Sequence, residues 1–444
     1  MKVGILGGGL TGLILGYLLK QKNIDFEILE KSDECGGLCK TIQDLGFTFD
    51  IGGGHIIFSR DEEILNFMLN LLGNNKVRNR RNTKILYKNY FVKYPFENGL
   101  SDLPIEENFE CLNEFIKTLN KKFDKPKNFK EWIYQTFGKG IAEKYMIPYN
   151  EKIWNYKTED MATFWIEGRV PKPPPEDIIK SSLGMKTEGY THQLYFYYPK
   201  YGGIQSLIKS IEEKIDNIIK NFEIKSIKKE KNKWIVSNNK EEKEFDKIIS
   251  TIPIFDLVKA LNDVPEKVVN SVKELKYNSL INVMIGLNTD KLNNFHWLYL
   301  PDKNILAHRL IFPKNDSPYM TPEGKSSLTA EITYNEGDLI SKMKDKEIIE
   351  NIIEYLDKKK LINKRDVCYK KIARLKYAYI VYDLNYENNI KIIYDFFKEV
   401  GIGLCGRFSE FKYLNMDACI NSAINYIKNN FGRNIYDIGN NTYI

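Results

Sequence analysis

The chain opens with Lys2-Val3-Gly4-Ile5-Leu6-Gly7-Gly8-Gly9-Leu10-Thr11-Gly12, and a second apolar run ends eighteen residues later at Glu30. Residues 2–6 predict a buried strand, and Gly7, Gly9 and Gly12 form a GxGxxG turn that leads into a helix. Such a turn brings a pyrophosphate to the free N–H groups of a helix N-terminus, where the helix dipole favours an anion. Glu30 lies where a carboxylate accepts hydrogen bonds from ribose hydroxyls. The segment therefore predicts a dinucleotide-binding unit.

The residues after the turn distinguish this unit from a chance run of glycines. Leu10, Leu13, Ile14, Tyr17 and Leu18 follow one another at helical spacing. They place one apolar face against a sheet, as the helix of a βαβ unit requires. The glycines also interrupt the apolar stretch, so we expect a first βα unit here and not a leader peptide.

A second group of glycines follows Glu30, in Gly36-Gly37-Leu38-Cys39 and Gly52-Gly53-Gly54-His55. A nicotinamide dinucleotide does not usually need them, whereas a ligand whose second half lies along the backbone does. This order resembles the FAD-binding domain of the flavoproteins that include amine oxidases, protoporphyrinogen oxidase and UDP-galactopyranose mutase. The resemblance implies non-covalent FAD, bound also by Gly37, Leu38, Gly53 and Gly54. It places His55 next to the flavin, although a lone histidine is more often structural.

Length, net charge and the distribution of charges limit the classes of protein to which the chain can belong. The 444 residues carry a net charge of +7, with 43% apolar residues. This length predicts two or three domains. The charges are interspersed, so we expect no nucleic-acid surface. The densest basic patch, Arg78-Asn79-Arg80-Arg81, could steer an anionic substrate or be a solvated strand edge.

Cysteine and histidine usage predicts neither a metal site nor a disulfide framework, because six scattered cysteines lack CxxC spacing and only four histidines are present. Cys35 and Cys39 could be a redox pair or buried packing thiols. We expect a cytoplasmic protein without a membrane span, since no apolar run is long enough to cross a bilayer.

The pattern along the chain predicts an α/β fold with a Rossmann-like FAD-binding domain in three parts, residues 1–97, 200–275 and 383–444. A mostly helical insertion is expected at residues 98–199, and an antiparallel substrate-binding sheet at residues 276–382. Individual elements are predicted as paired strands at 84–94, a helix at 129–145, a rigid proline turn at 171–175, a helix at 204–218, strands at 222–228, 234–237, 245–253, 280–287 and 327–333, and strand, turn and helix over 401–426. The Asn-rich final residues are expected to fray.

Several further segments resemble UDP-galactopyranose mutases, particularly the eukaryotic type. They are Phe137-Gly138-Lys139-Gly140, the run from Met146 to Trp154, Trp165-Ile166-Glu167-Gly168-Arg169, Tyr94-Pro95-Phe96, Trp297-Leu298-Tyr299-Leu300-Pro301, and Gly406-Arg407-Phe408 with Tyr413 and Asn415-Met416-Asp417. The resemblance covers nearly the whole chain in order. It implies further FAD contacts at Gly406, Arg407, Asn415 and Met416.

The resemblance implies an FAD-dependent isomerase that interconverts UDP-galactopyranose and UDP-galactofuranose, or a related UDP-hexose, for cell-surface polysaccharide biosynthesis. The reduced flavin would be the active form and would carry the sugar on its N5 atom. An external reductant such as NAD(P)H would keep it reduced. The sequence is also compatible with an oligomer.

The resemblance also implies the substrate site. A departing diphosphate needs two cations, and Arg169 and Arg309 stand at the matching positions, with His55 as the third catalytic residue. Each arginine alone could instead form a structural salt bridge. Contacts to phosphate, sugar or base are implied for Tyr299, Tyr379, Tyr413, Asn150 and Trp154. Trp154 would either contact the base or pack in the interior of the helical region.

Three departures from the family pattern bear on the substrate. An extra glycine precedes His55, Tyr379 is followed by Ile380 where proline is usual, and Asp316 stands near an expected phosphate-binding tyrosine. An aspartate beside a diphosphate is unfavourable, so either Asp316 points away or the ligand differs. The first alternative function is an oxidase or desaturase of the protoporphyrinogen oxidase or amine oxidase type, which would need an apolar tunnel without paired arginines. A non-catalytic FAD-bearing protein is the second.

Overall fold

The computed structural model describes residues 1–170, 172–188 and 193–432. The strands are β1 (Lys2–Leu6), β2 (Asp25–Leu29), β3 (Thr41–Asp44), β4 (Phe47–Asp50), β5 (Val77–Arg80), β6 (Thr83–Tyr87), β7 (Tyr90–Lys93), β8 (Tyr195–Tyr198), β9 (Ile218–Ile219), β10 (Ser226–Glu230), β11 (Lys233–Ser237), β12 (Glu242–Phe245), β13 (Lys247–Ser250), β14 (Lys276–Leu287), β15 (Trp297–Tyr299), β16 (Arg309–Ile311), β17 (Ser326–Tyr334), β18 (Val367–Val381) and β19 (Ile402–Leu404). The helices are α1 (Leu10–Gln21), α2 (Glu62–Leu72), α3 (Ile105–Leu119), α4 (Phe129–Ile141), α5 (Ile147–Trp154), α6 (Pro175–Ser182), α7 (Gln205–Glu212), α8 (Ile254–Ala260), α9 (Glu266–Glu274), α10 (Pro313–Asp316), α11 (Leu339–Lys342), α12 (Asp345–Lys358), α13 (Tyr386–Val400) and α14 (Met416–Phe431).

A parallel sheet with strand order β19-β13-β1-β2-β9 forms the first layer. Its central strand β1 buries Val3, Ile5 and Leu6 completely, because a parallel strand is covered on both faces. The strands come from three separated stretches of the chain, which confirms the predicted α/β fold class. In such sheets ligands bind beyond the carboxyl ends of the strands, and the glycine turn follows the carboxyl end of β1.

The predicted helical insertion is confirmed as α3 to α6, but its clearest helix is broken. Gly138 has a φ of +73° inside α4, and a Cβ there would lie 2.4 Å from the Glu114 carbonyl oxygen of α3. A turn of π-helix over Ala142–Met146 then leads into α5. The predicted continuous helix at 129–145 is therefore wrong in detail, since close packing on α3 bends it.

A second sheet has the order β18-β14-β17-β16-β15-β6-β7. Its neighbours are antiparallel except β15 and β6, which run parallel. The antiparallel prediction therefore holds with one exception. The paired strands predicted at 84–94 are confirmed as β6 and β7, and they extend this sheet instead of the parallel one. The predicted domain limits remain a prediction.

Three element limits are wrong. The strand predicted at 245–253 is divided between β12, which ends at Phe245, and β13, which ends at Ser250. The helix predicted at 204–218 ends at Glu212, and Ile218–Ile219 instead pairs with β2. The strand predicted at 222–228 begins only at Ser226, because the Phe222 N–H bonds to the Glu30 carbonyl oxygen and fixes the chain beside β2. The expected frayed end falls in 433–444, outside the described residues, as does Pro171 of the proline turn. Of the helices described, none combines the length and apolarity needed to span a bilayer.

Candidate active site

A cavity of about 1420 Å³ begins at the glycine turn after β1 and continues between the helical insertion and the second sheet. All but three of the predicted site residues line it. On its wall are Gly7, Gly9, Glu30, Gly37, Leu38, Gly54, His55, Asn150, Trp154, Arg169, Tyr299, Arg309, Tyr379, Arg407, Tyr413, Asn415 and Met416. The fold thus brings side chains that are hundreds of residues apart into one space.

Gly12, Gly53 and Gly406 lie behind the wall, where they allow close packing. A Cβ on Gly12 would lie 1.9 Å from the Gly7 carbonyl oxygen, so α1 can approach the turn only with glycine there. Gly53 has a φ of +96°, and a Cβ there would lie 2.2 Å from Oε1 of Glu331. These residues shape the cavity without facing it.

Backbone groups orient the Glu30 carboxylate at one end of the cavity. The Gly8 N–H donates to its Oε2 at 2.7 Å, and the Ser32 N–H donates to its Oε1 at 2.9 Å. Gly9 precedes the first turn of α1, and no atom lies within 4 Å of the position that its Cβ would take. The helix N-terminus therefore faces open space beside a fixed carboxylate, which fits the pyrophosphate and ribose of a dinucleotide.

The glycine turn and Glu30 form one part of the cavity wall, named here the dinucleotide cradle. The second glycine group extends this cradle toward His55. A Cβ on Gly52 would lie 2.1 Å from the Leu38 carbonyl oxygen, so the two wall segments approach closely. The His55 Nδ1 atom lies 3.1 Å from the Gly53 carbonyl oxygen. Burial, and then the charge of Arg407, lowers the pKa of His55 to about 4, so the ring is neutral near pH 7. The wall suits a ligand with a second half lying along the backbone.

Aromatic rings form a cage beyond His55. Tyr379 and Tyr413 stack with their centroids 5.8 Å apart, and Trp154 meets them edge-on at 6.0 and 5.6 Å. The Trp154 Nε1 donates to Oδ1 of Asn150 at 3.2 Å, and Asn150 donates to the Met146 carbonyl oxygen at 2.7 Å. Trp154 is buried, yet it also lines the cavity. Both of its predicted roles are thus compatible with its position.

Arg309 enters the cavity from β16 and is oriented by Glu331 on β17. Its Nε donates to Oε2 of Glu331, and its Nη2 lies 3.4 Å from the Tyr379 hydroxyl. Burial alone would raise the pKa of Glu331, but the adjacent guanidinium outweighs it and holds this pKa at about 2. The pair therefore stays charged, and its guanidinium is held at the cavity wall.

Two more guanidinium groups meet at Tyr413. Arg169 donates to the Tyr413 carbonyl oxygen, and its Cζ lies 4.6 Å from the centroid of the Tyr413 ring. The Cζ of Arg407 lies 4.1 Å from the same centroid, and its Nη atoms donate to the Leu414 and Ala378 carbonyl oxygens at 2.8 and 2.7 Å. This end of the cavity is positive and aromatic, which suits an anion attached to a planar base.

Sequence reasoning missed Arg81 and Glu97 as site residues. Arg81 lines the cavity, donates to the Tyr299 hydroxyl at 3.2 Å and lies over the Trp297 ring at 4.7 Å. The basic patch at 78–81 was the available signal. Glu97 lines the same wall and is 2% exposed, and burial raises its pKa to about 7. The Tyr94-Pro95-Phe96 segment directly before it was the available signal.

Asp316 does not line the cavity. It is buried, and burial followed by the nearby Asp50 carboxylate raises its pKa well above the usual range. Of the two alternatives for Asp316, its position outside the cavity wall supports the one in which it points away. Cys35 and Cys39 are both buried and free, and burial raises the pKa of Cys35 to about 12. This arrangement favours packing thiols over a redox pair.

Comparisons with known proteins show the family to which the chain belongs. A sequence model of the flavin-containing amine oxidoreductases matches residues 10–387. The crystal structure of a reduced UDP-galactopyranose mutase superposes with a TM-score of 0.90 and 25% identity, covering 99% of this chain and 97% of that one. A putative protoporphyrinogen oxidase from Exiguobacterium sp. 255-15 shares the fold, with a TM-score of 0.77 and 18% identity over 96% of this chain and 98% of that one.

A curated relative, dTDP-fucopyranose mutase from Escherichia coli, is 22% identical over 219 residues, which is 46% of this chain. The match spans half the length of that relative. The family match, in contrast, extends over most of the chain, in agreement with the dinucleotide cradle. The chain therefore belongs to the flavin-containing amine oxidoreductase family and is a flavoprotein.

Proposed function

We propose that the chain is a flavin-dependent mutase that interconverts the pyranose and furanose forms of a nucleoside diphosphate hexose, UDP-galactose or a close relative. The observation that carries this proposal is the position of Arg309, which is held by Glu331 in the same cavity as the dinucleotide cradle and the aromatic cage. The similarity to a reduced UDP-galactopyranose mutase and to a dTDP-fucopyranose mutase supports it.

The diphosphate would lie among Arg309, Arg169 and Arg81. Guanidinium groups bind phosphoryl oxygens in a bidentate manner and neutralise the charge that develops when the nucleoside diphosphate leaves the sugar. Arg309 and Arg81 already bond to the hydroxyls of Tyr379 and Tyr299, which places these hydroxyls beside the same anion. The base would stack in the aromatic cage near Trp154.

The cradle from Gly7 and Glu30 to His55 would hold FAD without a covalent bond, together with Arg407, Asn415 and Met416. When bound in its reduced form, the flavin would supply a nucleophile for the anomeric carbon, and the sugar ring would open and reclose with no net oxidation. The protein's own contribution is to position the anomeric carbon and to stabilise the departing diphosphate. An external reductant such as NAD(P)H would return the flavin to its active state.

The second candidate is an oxidase of the amine or protoporphyrinogen type, which the family name and one structural neighbour favour. An apolar or cationic substrate would leave Arg309, Arg169 and Arg81 facing it in a desolvated cavity, at considerable cost. Spectral titration separates the two functions. We expect UDP or dTDP to perturb the flavin absorbance of the purified protein. Bleaching of the oxidised flavin by an amine, with no response to either nucleotide, would replace the mutase by the oxidase.

A further inference from the structure

Asn278 of β14 lies behind the aromatic cage and does not line the cavity. Its side chain is fully buried, and its Nδ2 donates to the carbonyl oxygens of Ile153 and Trp154 at 3.1 and 2.9 Å. These are the last two residues of α5, and carbonyl groups at a helix end have no partner within the helix. Asn278 therefore caps the end of the helix that carries Trp154.

The contact depends on the nitrogen of the Asn278 side chain. An asparagine amide carries two N–H donors, and the two carbonyl groups at the end of α5 can accept one each. Among the described residues none bonds to its Oδ1, although that atom is buried. A buried acceptor without a partner costs stability, so the role of Asn278 at this position lies in its donors.

Asn278 is also the cross-strand partner of Tyr379. The register of β14 and β18 pairs the two residues directly, and it shifts immediately afterwards, between Asn278 and Leu280. Directly opposite residues of an antiparallel pair project from the same face of a sheet, which agrees with the position of both side chains next to α5. The ring centroids of Trp154 and Tyr379 lie 6.0 Å apart. One side chain of β14 thus fixes the helix that carries Trp154 relative to the strand that carries Tyr379.

Lys152 attaches α5 to the second sheet independently of Asn278. The Thr333 Oγ1 donates to the Lys152 carbonyl oxygen at 2.8 Å, and the Lys152 Nζ donates to the carbonyl oxygens of Leu300 and Asp302 at 2.9 and 2.6 Å. These contacts hold the helix before its last two residues. Loss of the Asn278 bonds would therefore leave α5 attached and release only its end.

We propose that Asn278 is a positioning residue for the nucleoside of the substrate and holds the Trp154 ring in the orientation on which the base stacks. This inference rests on the proposed function, in which the base lies in the aromatic cage. Stacking on an aromatic ring depends on the separation and tilt of the rings, so a displaced Trp154 binds the base less well. Asn278 acts through Trp154 and contacts no ligand itself.

The affinities of the flavin-loaded protein for two ligands test this role. Asn278→Asp keeps the shape of the side chain but replaces the N–H donors by oxygen. We expect this variant to bind UDP about tenfold more weakly and to bind inorganic pyrophosphate within about twofold of the unaltered chain, because only UDP carries a base. Titration against flavin fluorescence measures both affinities. Equal weakening of the two ligands, or unchanged affinity for UDP, would overturn the proposal.

Asn108→Asp is the matched control. Asn108 is buried as well, and its Nδ2 donates to the Ser182 carbonyl oxygen at 2.9 Å at the end of α6, a helix whose residues do not line the cavity. This variant should bind UDP and pyrophosphate as the unaltered chain does. Asn278→Ser, which keeps one hydroxyl donor, replaces Asn278→Asp if the aspartate prevents folding, and the same selective loss of UDP affinity is expected.

A double-mutant cycle tests whether Asn278 acts through Trp154. Trp154→Ala should itself weaken UDP binding, and Asn278→Asp added to it should cause a further loss of less than about twofold. A tenfold loss caused by Asn278→Asp in both backgrounds would show that Asn278 acts independently of Trp154, and would contradict the proposal.

Near-ultraviolet circular dichroism follows the Trp154 ring without any ligand. Trp154 and Trp165 meet edge-on with their centroids 5.2 Å apart, so their signal depends on their mutual orientation, and Trp154→Phe identifies the part due to Trp154. Asn278→Asp should reduce that part while flavin is retained, whereas Asn108→Asp should leave it unchanged. An unaltered spectrum of Asn278→Asp would overturn the proposal. If the unaltered chain binds neither UDP nor dTDP, the proposed function fails, and the spectrum still decides whether Asn278 positions Trp154.

Discussion

Arg309 and Glu331 lie directly opposite each other on the neighbouring strands β16 and β17, and Glu331 accepts a hydrogen bond from the Arg309 Nε while it is fully shielded from solvent. Cross-strand register therefore determines where the guanidinium points. Removal of either partner would leave a buried charge without compensation, so the pair contributes to stability as well as orienting Arg309 at the cavity wall.

Replacing Glu331 by glutamine should destabilise the protein by about 3 kcal/mol, because Arg309 then remains buried without its counter-charge. Urea unfolding at pH 7 measures this change. Asp345→Asn is the matched control. Asp345, at the start of α12, pairs with Arg374 of β18 at 2.8 Å where both side chains are more exposed, and loss of its charge should cost less than about 1 kcal/mol. If the two variants lose the same free energy of unfolding, burial of the Arg309–Glu331 pair makes no difference to stability.

The same pair predicts a pH dependence. Glu331 has its pKa lowered from 4.5 to about 2, so the unfolded chain takes up the proton first as pH falls. Its stabilising contribution is present above pH 4.5 and is lost as pH falls toward 2. The stability difference between the unaltered chain and Glu331→Gln should therefore shrink over that interval. A difference that stays constant would exclude a paired carboxylate.

Arg309→Lys and Arg169→Ala should each weaken UDP binding by about 10- to 100-fold, because each removes a charge-assisted contact in a partly desolvated cavity. Lysine keeps the charge of Arg309 but cannot bond to Glu331 and phosphate in the same planar geometry. Titration of UDP against flavin fluorescence measures the affinity, and the flavin content should stay unchanged. Arg374→Ala, outside the cavity, should bind UDP normally. Normal affinity in both cavity variants would refute the diphosphate site.

Glu30→Ala should weaken flavin binding by about 1.5–3 kcal/mol, which is roughly a 10- to 150-fold loss of affinity. The carboxylate is oriented by the Gly8 and Ser32 N–H groups, so the ribose would lose a preorganised acceptor. Equilibrium reconstitution of the deflavinated protein with FAD gives the affinity. Glu27→Gln is the control, since Glu27 lies on β2, the strand that Glu30 follows, and pairs with Lys2 at 2.7 Å. It should retain flavin.

Glu97→Gln should reduce the change in the free energy of unfolding between pH 4.5 and pH 7. Burial raises the pKa of Glu97 from 4.5 to about 7 in the folded protein, so the unfolded chain loses this proton first as pH rises. The unaltered chain should then lose up to about 3 kcal/mol between pH 4.5 and 7 from this group, while the glutamine variant does not. Thermal unfolding of both proteins at pH 5 and pH 8 measures it. If the stability of the two proteins changes by the same amount between pH 5 and pH 8, the raised pKa of Glu97 is contradicted.

Local sequence patterns were sufficient to predict the part of the cavity around the glycine turn. Gly7, Gly9 and Glu30 belong to one βαβ unit, so their arrangement follows from short-range geometry and the motif can be read directly. The strand, turn and helix predicted near the end are likewise present as β19, Gly406 and α14. The resemblance placed Arg309 and Tyr379 at the cavity, although strand pairing far along the chain aligns them.

Contacts between distant parts of the chain explain why the roles of Arg81 and Glu97 and the bend at Gly138 were not predicted. Arg81 reaches Tyr299 because β6 pairs in parallel with β15, more than two hundred residues later, and no periodicity in either segment predicts that pairing. Glu97 lies in the short turn Phe96–Asn98 after β7, and this turn packs against α4 and α6 of the helical insertion. The bend at Gly138 likewise depends on contact with α3 and not on the helical pattern of α4 itself.

The redox dependence of turnover tests the proposed function most directly. The purified protein is incubated without oxygen in its oxidised and dithionite-reduced forms with UDP-galactofuranose, and in parallel with the corresponding dTDP-hexofuranose, and the ring forms are separated by chromatography. A mutase predicts conversion to the pyranose by the reduced protein only, with no change in the total amount of sugar nucleotide. If neither form converts either sugar nucleotide, and the oxidised protein instead consumes an amine or an apolar substrate with formation of hydrogen peroxide in air, the mutase assignment is contradicted.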